Sequence, residues 1–177
     1  MINADVRRTL DVFRAKHRTS TFLYSLSSAF YGVPAIGLLY NYHACLTAVS
    51  GNVALINLMI TQLLAQVPLS YLNDTYSLWK HYTFHEWNFW AYADVSAACM
   101  TFVTQLIITP QLCGTSDRLV LYFAALVVSL GFFVLARVAS KSQKFTTSKT
   151  YLFFWVYAHT MWHLCLPMSC AYLVLTV

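Results

Sequence analysis

Charged side chains are scarce in this chain. Only 10% of its 177 residues are Asp, Glu, Lys or Arg, whereas a soluble domain carries about 25%. Because a helix needs about 20 mostly apolar residues to cross a bilayer, this lack of charge excludes an ordinary soluble domain and predicts a multi-pass membrane protein. Four long runs contain no Asp, Glu, Lys or Arg at all: residues 19–73, 95–116, 119–136 and 150–177.

Several motifs that would point to other functions are also missing. The five glycines form no phosphate-binding loop, and the sequence contains no GxSxG motif. The five cysteines show no CxxC spacing, so we do not expect a disulfide framework. The net charge of +5 is not accompanied by a nucleic-acid-binding motif, and we expect no nucleic-acid partner.

Residues 1–20 form a basic segment ahead of the first apolar run. Ile2, Val6, Leu10 and Phe13 recur at helical spacing, and arginines occupy much of the rest. This pattern predicts an amphipathic helical arm that lies on the membrane surface. A simple positively charged flank of the first membrane helix is the alternative interpretation.

The apolar runs predict an all-α integral membrane bundle of five transmembrane helices. A turn rich in Ser, Gly and Asn separates the first two helices, Pro110 is expected to stop the third, and Pro167 to kink the fifth. The predicted spans are about 21–43, 53–73, 88–109, 118–138 and 150–175.

Basic residues predict how this bundle is oriented. With the N-terminus inside, the arm, the second-to-third loop and the fourth-to-fifth loop all lie inside, and of the 11 Lys and Arg residues only Arg118 lies outside. Such a bias is the positive-inside pattern of membrane proteins. The odd number of helices then places the C-terminus outside.

Five polar residues are expected to meet in the inner half of the bundle. Asp94 is the only charged residue within a long apolar stretch, which makes it a candidate functional residue. His159 and His163 share one helix face and could bind one metal ion, or hydrogen-bond to neighbouring helices. Ser70 and Asp74 end the second helix on the same side. We therefore predict one inward-facing polar pocket that contains all five.

These residues resemble the motifs of the CREST superfamily of membrane proteins, which includes alkaline ceramidases and adiponectin receptors. The similar segments are Ser70-x3-Asp74, Asp94 in YADVSAACM, and His159-x3-His163 in YAHTMWHLCLPMSCAYLVL. In that superfamily a Ser-x3-His, an Asp and a His-x3-His occur in this order, three His bind zinc, and the Asp positions or activates the attacking water. The resemblance implies zinc ligands His159, His163 and Asp74, with Asp94 as proton acceptor and Ser70 as a hydrogen-bond partner.

The chain departs from the superfamily at two points. Asp74 stands where the superfamily has its first His, although a carboxylate can also bind zinc. His81 or His85, in the loop after the second helix, is the alternative third ligand, while His43 lies on the other side and is interpreted as an interfacial residue. The superfamily has seven spans, whereas five are predicted here.

Two functions remain open at this stage. The first is a non-catalytic accessory subunit of a larger membrane complex, because the chain is small, basic and rich in aromatic residues. Its partners would be other membrane subunits and lipids, it would need no cofactor, and a respiratory-chain or ATP-synthase assembly of the mitochondrial inner membrane is the expected setting. The second is a CREST-type, zinc-dependent hydrolase of a lipid amide or ester. We take the subunit as the main expectation.

Overall fold

The described residues of this chain are almost entirely helical. The computed structural model describes residues 4–77, 89–141 and 149–177, and no strand occurs within these ranges. The elements are α1 (Ala4–Lys16), α2 (Arg18–Ser27), a 3-10 turn (Ser28–Tyr31), α3 (Gly32–Tyr40), α4 (Tyr42–Ala48), α5 (Val53–Ser70), a π-helical turn (Tyr71–Ser77), α6 (Phe89–Cys113), α7 (Ser116–Lys141) and α8 (Lys149–Leu175).

Four stretches of the described chain are long and apolar enough to cross a membrane. They are Arg18–Tyr40, Val53–Thr75, Phe89–Cys113 and Ser116–Ala139, and they correspond to the first four predicted spans. This confirms a helical bundle of membrane-protein character. Helix α8 is not among them, although it is 27 residues long, because His159 and His163 lower the mean hydropathy of its middle turns. The fifth crossing and the orientation of the termini stay predictions.

Helix α8 lies at the centre of the bundle. It packs against α2, α3, α6 and α7, and residues spread along its length are buried, from Leu152 to Val174. One face of α8, which carries Tyr157, Met168 and Tyr172, is exposed, whereas His163 is buried among the neighbouring helices. The helix therefore carries its polar side chains inward.

One end of the bundle, here called the basic end, brings together both flanks of the α7–α8 connection and helix α1. Leu10 and Phe13 of α1 form one apolar cluster with Ala139 of α7 and Leu152 of α8. At the opposite end, the amide of Asn41 donates a hydrogen bond of 2.9 Å to the carbonyl of Val174. The helices therefore run up and down between these two ends.

The predicted arm forms helix α1, and its apolar face is turned to protein. Phe13 and Leu10 are buried in the bundle, whereas Arg8 and Arg14 are exposed. The other two residues of the predicted apolar face, Ile2 and Val6, have side chains outside the described part of the chain. The buried face anchors α1 to α7 and α8.

The predicted stop of the third helix at Pro110 is wrong. Helix α6 continues through this proline to Cys113. A proline removes only one backbone hydrogen bond, and an apolar helix keeps its remaining bonds because no water replaces them in a bilayer. The helix ends where Gly114 takes a positive φ of 62°, a backbone conformation that commonly terminates helices.

Candidate metal centre and cavity

A π-helical turn shapes the end of α5. The turn Tyr71–Ser77 follows α5 directly, and Pro68 lies in the last helical turn before it. Since π-helical turns are rare and occur often at functional sites, this irregularity marks the segment. Ser70, Asn73 and Asp74 are three and four residues apart, so they share one face of it.

The two histidines of α8 lie one above the other and are held by aromatic rings. Their ring centroids are 4.5 Å apart. Tyr24 and Trp155 lie against His159 at 5.1 and 5.4 Å, and Tyr31 lies edge-on to His163 at 5.3 Å. This packing restricts both imidazoles and directs them towards the π-helical turn.

Asp74 meets both imidazoles through one oxygen. Its Oδ2 lies 3.0 Å from Nε2 of His159 and 3.5 Å from Nε2 of His163. One ligand atom from each of these residues falls within 4.8 Å of the others. Zinc bonds of about 2.0–2.1 Å place tetrahedral ligand atoms roughly 3.3 Å apart. The observed spacing therefore fits a zinc ion held by two nitrogens and one carboxylate oxygen.

The hydrogen bond between Ser27 and His163 indicates which nitrogen of the imidazole carries the ring proton. Ser27 donates its hydroxyl proton to the carbonyl of Tyr24 at 2.7 Å, and its Oγ lies 3.3 Å from Nδ1 of His163. Ser27 has only one proton, so the network assigns the ring proton to Nδ1. The lone pair on Nε2 then faces a carboxylate oxygen. A cation shared by this nitrogen and the carboxylate oxygen would stabilise both lone pairs. Imidazoles that bind metals commonly donate their other ring N–H to a neighbouring acceptor, as His163 does to Ser27.

Asp94 is held by three donors next to this group. Its Oδ1 accepts hydrogen bonds from Gln66 at 2.6 Å and Ser70 at 2.8 Å, and its Oδ2 accepts one from Asn73 at 2.9 Å. Asn73 also donates to Oδ1 of Asp74 at 3.1 Å. One amide group therefore connects the two carboxylates and fixes their relative position.

A cavity of about 560 Å³ opens beside these polar groups. The histidines and both carboxylates line one part of it, and apolar side chains of α6 and α7 line much of the rest. Arg137, near the end of α7 at the basic end, also contributes to the lining. The cavity thus combines a polar, metal-competent part with an apolar one, as small-molecule sites commonly do.

All five predicted site residues line this cavity: Ser70, Asp74, Asp94, His159 and His163. Gln66 of α5 also lines the cavity and joins α5 to α6 by donating a hydrogen bond to Asp94. His43 is exposed in α4 at the opposite end, and the alternative ligands His81 and His85 lie outside the described residues. The role of His81 or His85 as third ligand therefore stays a prediction.

Sequence reasoning missed three residues that matter for the site. Asn73 could have been noticed from its spacing to Ser70, since residues three apart share a helix face. Ser27 and Arg137 carry no such indication, because serine is common in membrane helices and an arginine at a helix end is usually attributed to topology.

No family model matches the chain, and neither a curated protein nor a solved structure does.

Proposed function

We propose that the protein is a zinc-dependent membrane hydrolase that cleaves a lipid amide or ester. The observation that carries this proposal is the shared position of Asp74, His159 and His163, whose ligand atoms lie within 4.8 Å of one another beside a 560 Å³ cavity. Three protein ligands with a fourth position left open are typical of catalytic rather than structural zinc sites.

Zinc bound by these residues would polarise the carbonyl of the substrate and make water a better nucleophile at neutral pH. Asp94 lines the cavity, and its Oδ2 accepts a single hydrogen bond from the described residues. A carboxylate oxygen has two lone pairs, so Oδ2 can also take the proton of the attacking water and return it to the leaving amine or alcohol. Ser70 and Gln66 position Asp94 for this transfer.

The accessory-subunit hypothesis explains this group less well. Buried carboxylates and imidazoles are costly in a membrane, so they are usually functional. A subunit that only supports neighbours would not need a metal-competent group beside a cavity. The carboxylate that contacts both imidazoles is that of Asp74, and the described side-chain partners of Asp94 are Gln66, Ser70 and Asn73.

Metal content and hydrolysis, measured together, test the proposal. We expect the purified chain to contain one zinc per molecule by mass spectrometry and to hydrolyse a fluorescent lipid amide or ester. Asp74→Asn should lose the metal, whereas Asp74→His should keep it, because imidazole restores a zinc ligand. Asp94→Asn should keep the zinc and lose activity by about 10²–10⁴-fold, the usual contribution of a general base.

The retained zinc in Asp94→Asn also shows that this variant is folded. A chain that stays free of zinc when refilled, or an Asp74→Asn variant with a wild-type zinc content, would overturn the proposal. An inactive, metal-free chain that migrates in a large native complex would favour the accessory subunit.

A further inference from the structure

Arg137 lies in the same cavity as the metal-competent residues. Its guanidinium carbon is 5.7 Å from the ring centroid of Phe133, one helical turn earlier. Phe133 in turn packs on Trp162 at 5.1 Å, directly before His163 in the chain. Because α7 and α8 run antiparallel, the turn after Phe133 is level with the turn before Trp162, which contains His159. Arg137 is therefore level with the turn that contains His159, and its exposed side chain borders the cavity.

The positive charge of Arg137 distinguishes it from the other side chains that line the cavity. Among the described residues that line the cavity, Arg137 is the only Lys or Arg, beside the carboxylates of Asp74 and Asp94. With zinc bound, the two carboxylates would offset the charge of the ion, and the guanidinium would make the described part of the lining positive overall. Arginine stays protonated in proteins, and its planar group binds carboxylate and phosphate through two parallel hydrogen bonds.

The rest of the lining suits an alkyl chain. Ala98, Cys99 and Phe102 of α6 face the cavity together with Leu130 and Phe133 of α7. The volume of about 560 Å³ falls within the range of pockets that hold one small ligand, roughly 300–1,000 Å³. A single chain with a small head group is consistent with this size.

We infer that the cavity binds an amphiphile with one alkyl chain and an anionic head group, carboxylate or phosphate, which Arg137 engages. The inference rests on the proposed function, since the lining becomes positive overall only with a divalent ion bound. It adds the substrate class: the hydrolysed lipid carries a negative charge in addition to its amide or ester.

Binding, measured apart from hydrolysis, tests this inference. The zinc-loaded Asp94→Asn variant in a neutral sugar-based detergent should bind dodecanoate or dodecyl phosphate more tightly than dodecanol, as measured by displacement of a fluorescent alkyl probe. Adding Arg137→Gln should weaken binding of the anions by about 10- to 100-fold, as expected for the loss of charge-assisted hydrogen bonds, and change dodecanol binding less than about threefold. The tighter of the two anions identifies the head group.

Arg118→Gln is the matched control, because Arg118 lies at the other end of α7 and is not part of the cavity lining. It should leave all three affinities unchanged. Equal binding of anions in the Arg137→Gln variant and its parent would overturn the inference, even if the chain hydrolyses neutral lipids and the proposed function stands. An Arg137-dependent preference for anions in a chain that binds zinc but hydrolyses no lipid would support the inference and contradict the proposed hydrolase.

Discussion

At the scale of single residues, the hydroxyl of Ser27 determines how His163 is presented. It accepts the Nδ1 proton because its own proton is committed to the carbonyl of Tyr24. Nε2 is then available as a lone pair beside Asp74. Ser27 does not touch the proposed metal position, so it is a positioning residue.

We predict that Ser27→Ala lowers zinc affinity by about 10- to 100-fold, the usual effect of removing a hydrogen bond behind a metal-binding histidine. Competition with a chromogenic chelator measures this affinity. Ser25→Ala is a suitable control, because the hydroxyl of Ser25 donates to the carbonyl of Thr21 in its own helix. Equal zinc affinities of the two variants would contradict the assigned ring proton of His163.

At the scale of elements, α1 closes the basic end of the bundle. Phe13 has no exposed surface and packs in the cluster that contains Tyr24, Trp155 and Ala136. Those three residues also line the cavity from inside. Helix α1 therefore supports the cavity wall from behind, and its docking affects both stability and the site.

Truncation of Phe13 tests this support. Phe13→Ala should lower the free energy of unfolding by about 3–5 kcal/mol, as for other large-to-small changes at fully buried aromatic residues. Thermal unfolding in detergent would show a lower midpoint. Val12→Ala, at a residue that is 43% exposed, should change the midpoint little. If both variants unfold like the parent chain, α1 is not docked as described.

At the scale of the whole molecule, orientation in the membrane follows from the distribution of basic residues. Ala4 begins α1, which packs beside Ala139 and Leu152, the two flanks of the α7–α8 connection. The N-terminus and this connection therefore belong to the same end of the molecule. With the positive-inside rule, that end is predicted to face the cytoplasm or the corresponding compartment.

Labelling of single cysteines in intact vesicles, in a background without the native cysteines, tests this topology. Ala4→Cys and Phe145→Cys should react with an impermeant reagent from the same side. Thr115→Cys, between α6 and α7, should react from the other side. Labelling of positions 4 and 145 from opposite sides would contradict the predicted bundle and its count of helices.

Helix positions and the depth of polar residues could be predicted from the sequence because both are nearly one-dimensional properties. An apolar run long enough to cross a bilayer is recognisable without knowledge of its neighbours. The height of a residue then follows from its distance along the helix, at about 1.5 Å per residue. Ser70, Asp74, Asp94, His159 and His163 could therefore be expected in the same half of the bundle.

Only the tertiary structure decided which faces of the helices meet. The rotation of each helix depends on how its side chains pack against several neighbours at once, and no local pattern encodes this. The rotation of the helices brings Ser27 behind His163, places Asn73 between the two carboxylates and turns Arg137 into the cavity. The sequence determined which polar groups share one half of the bundle, and packing determined their partners, because contact requires a common direction as well as a similar height.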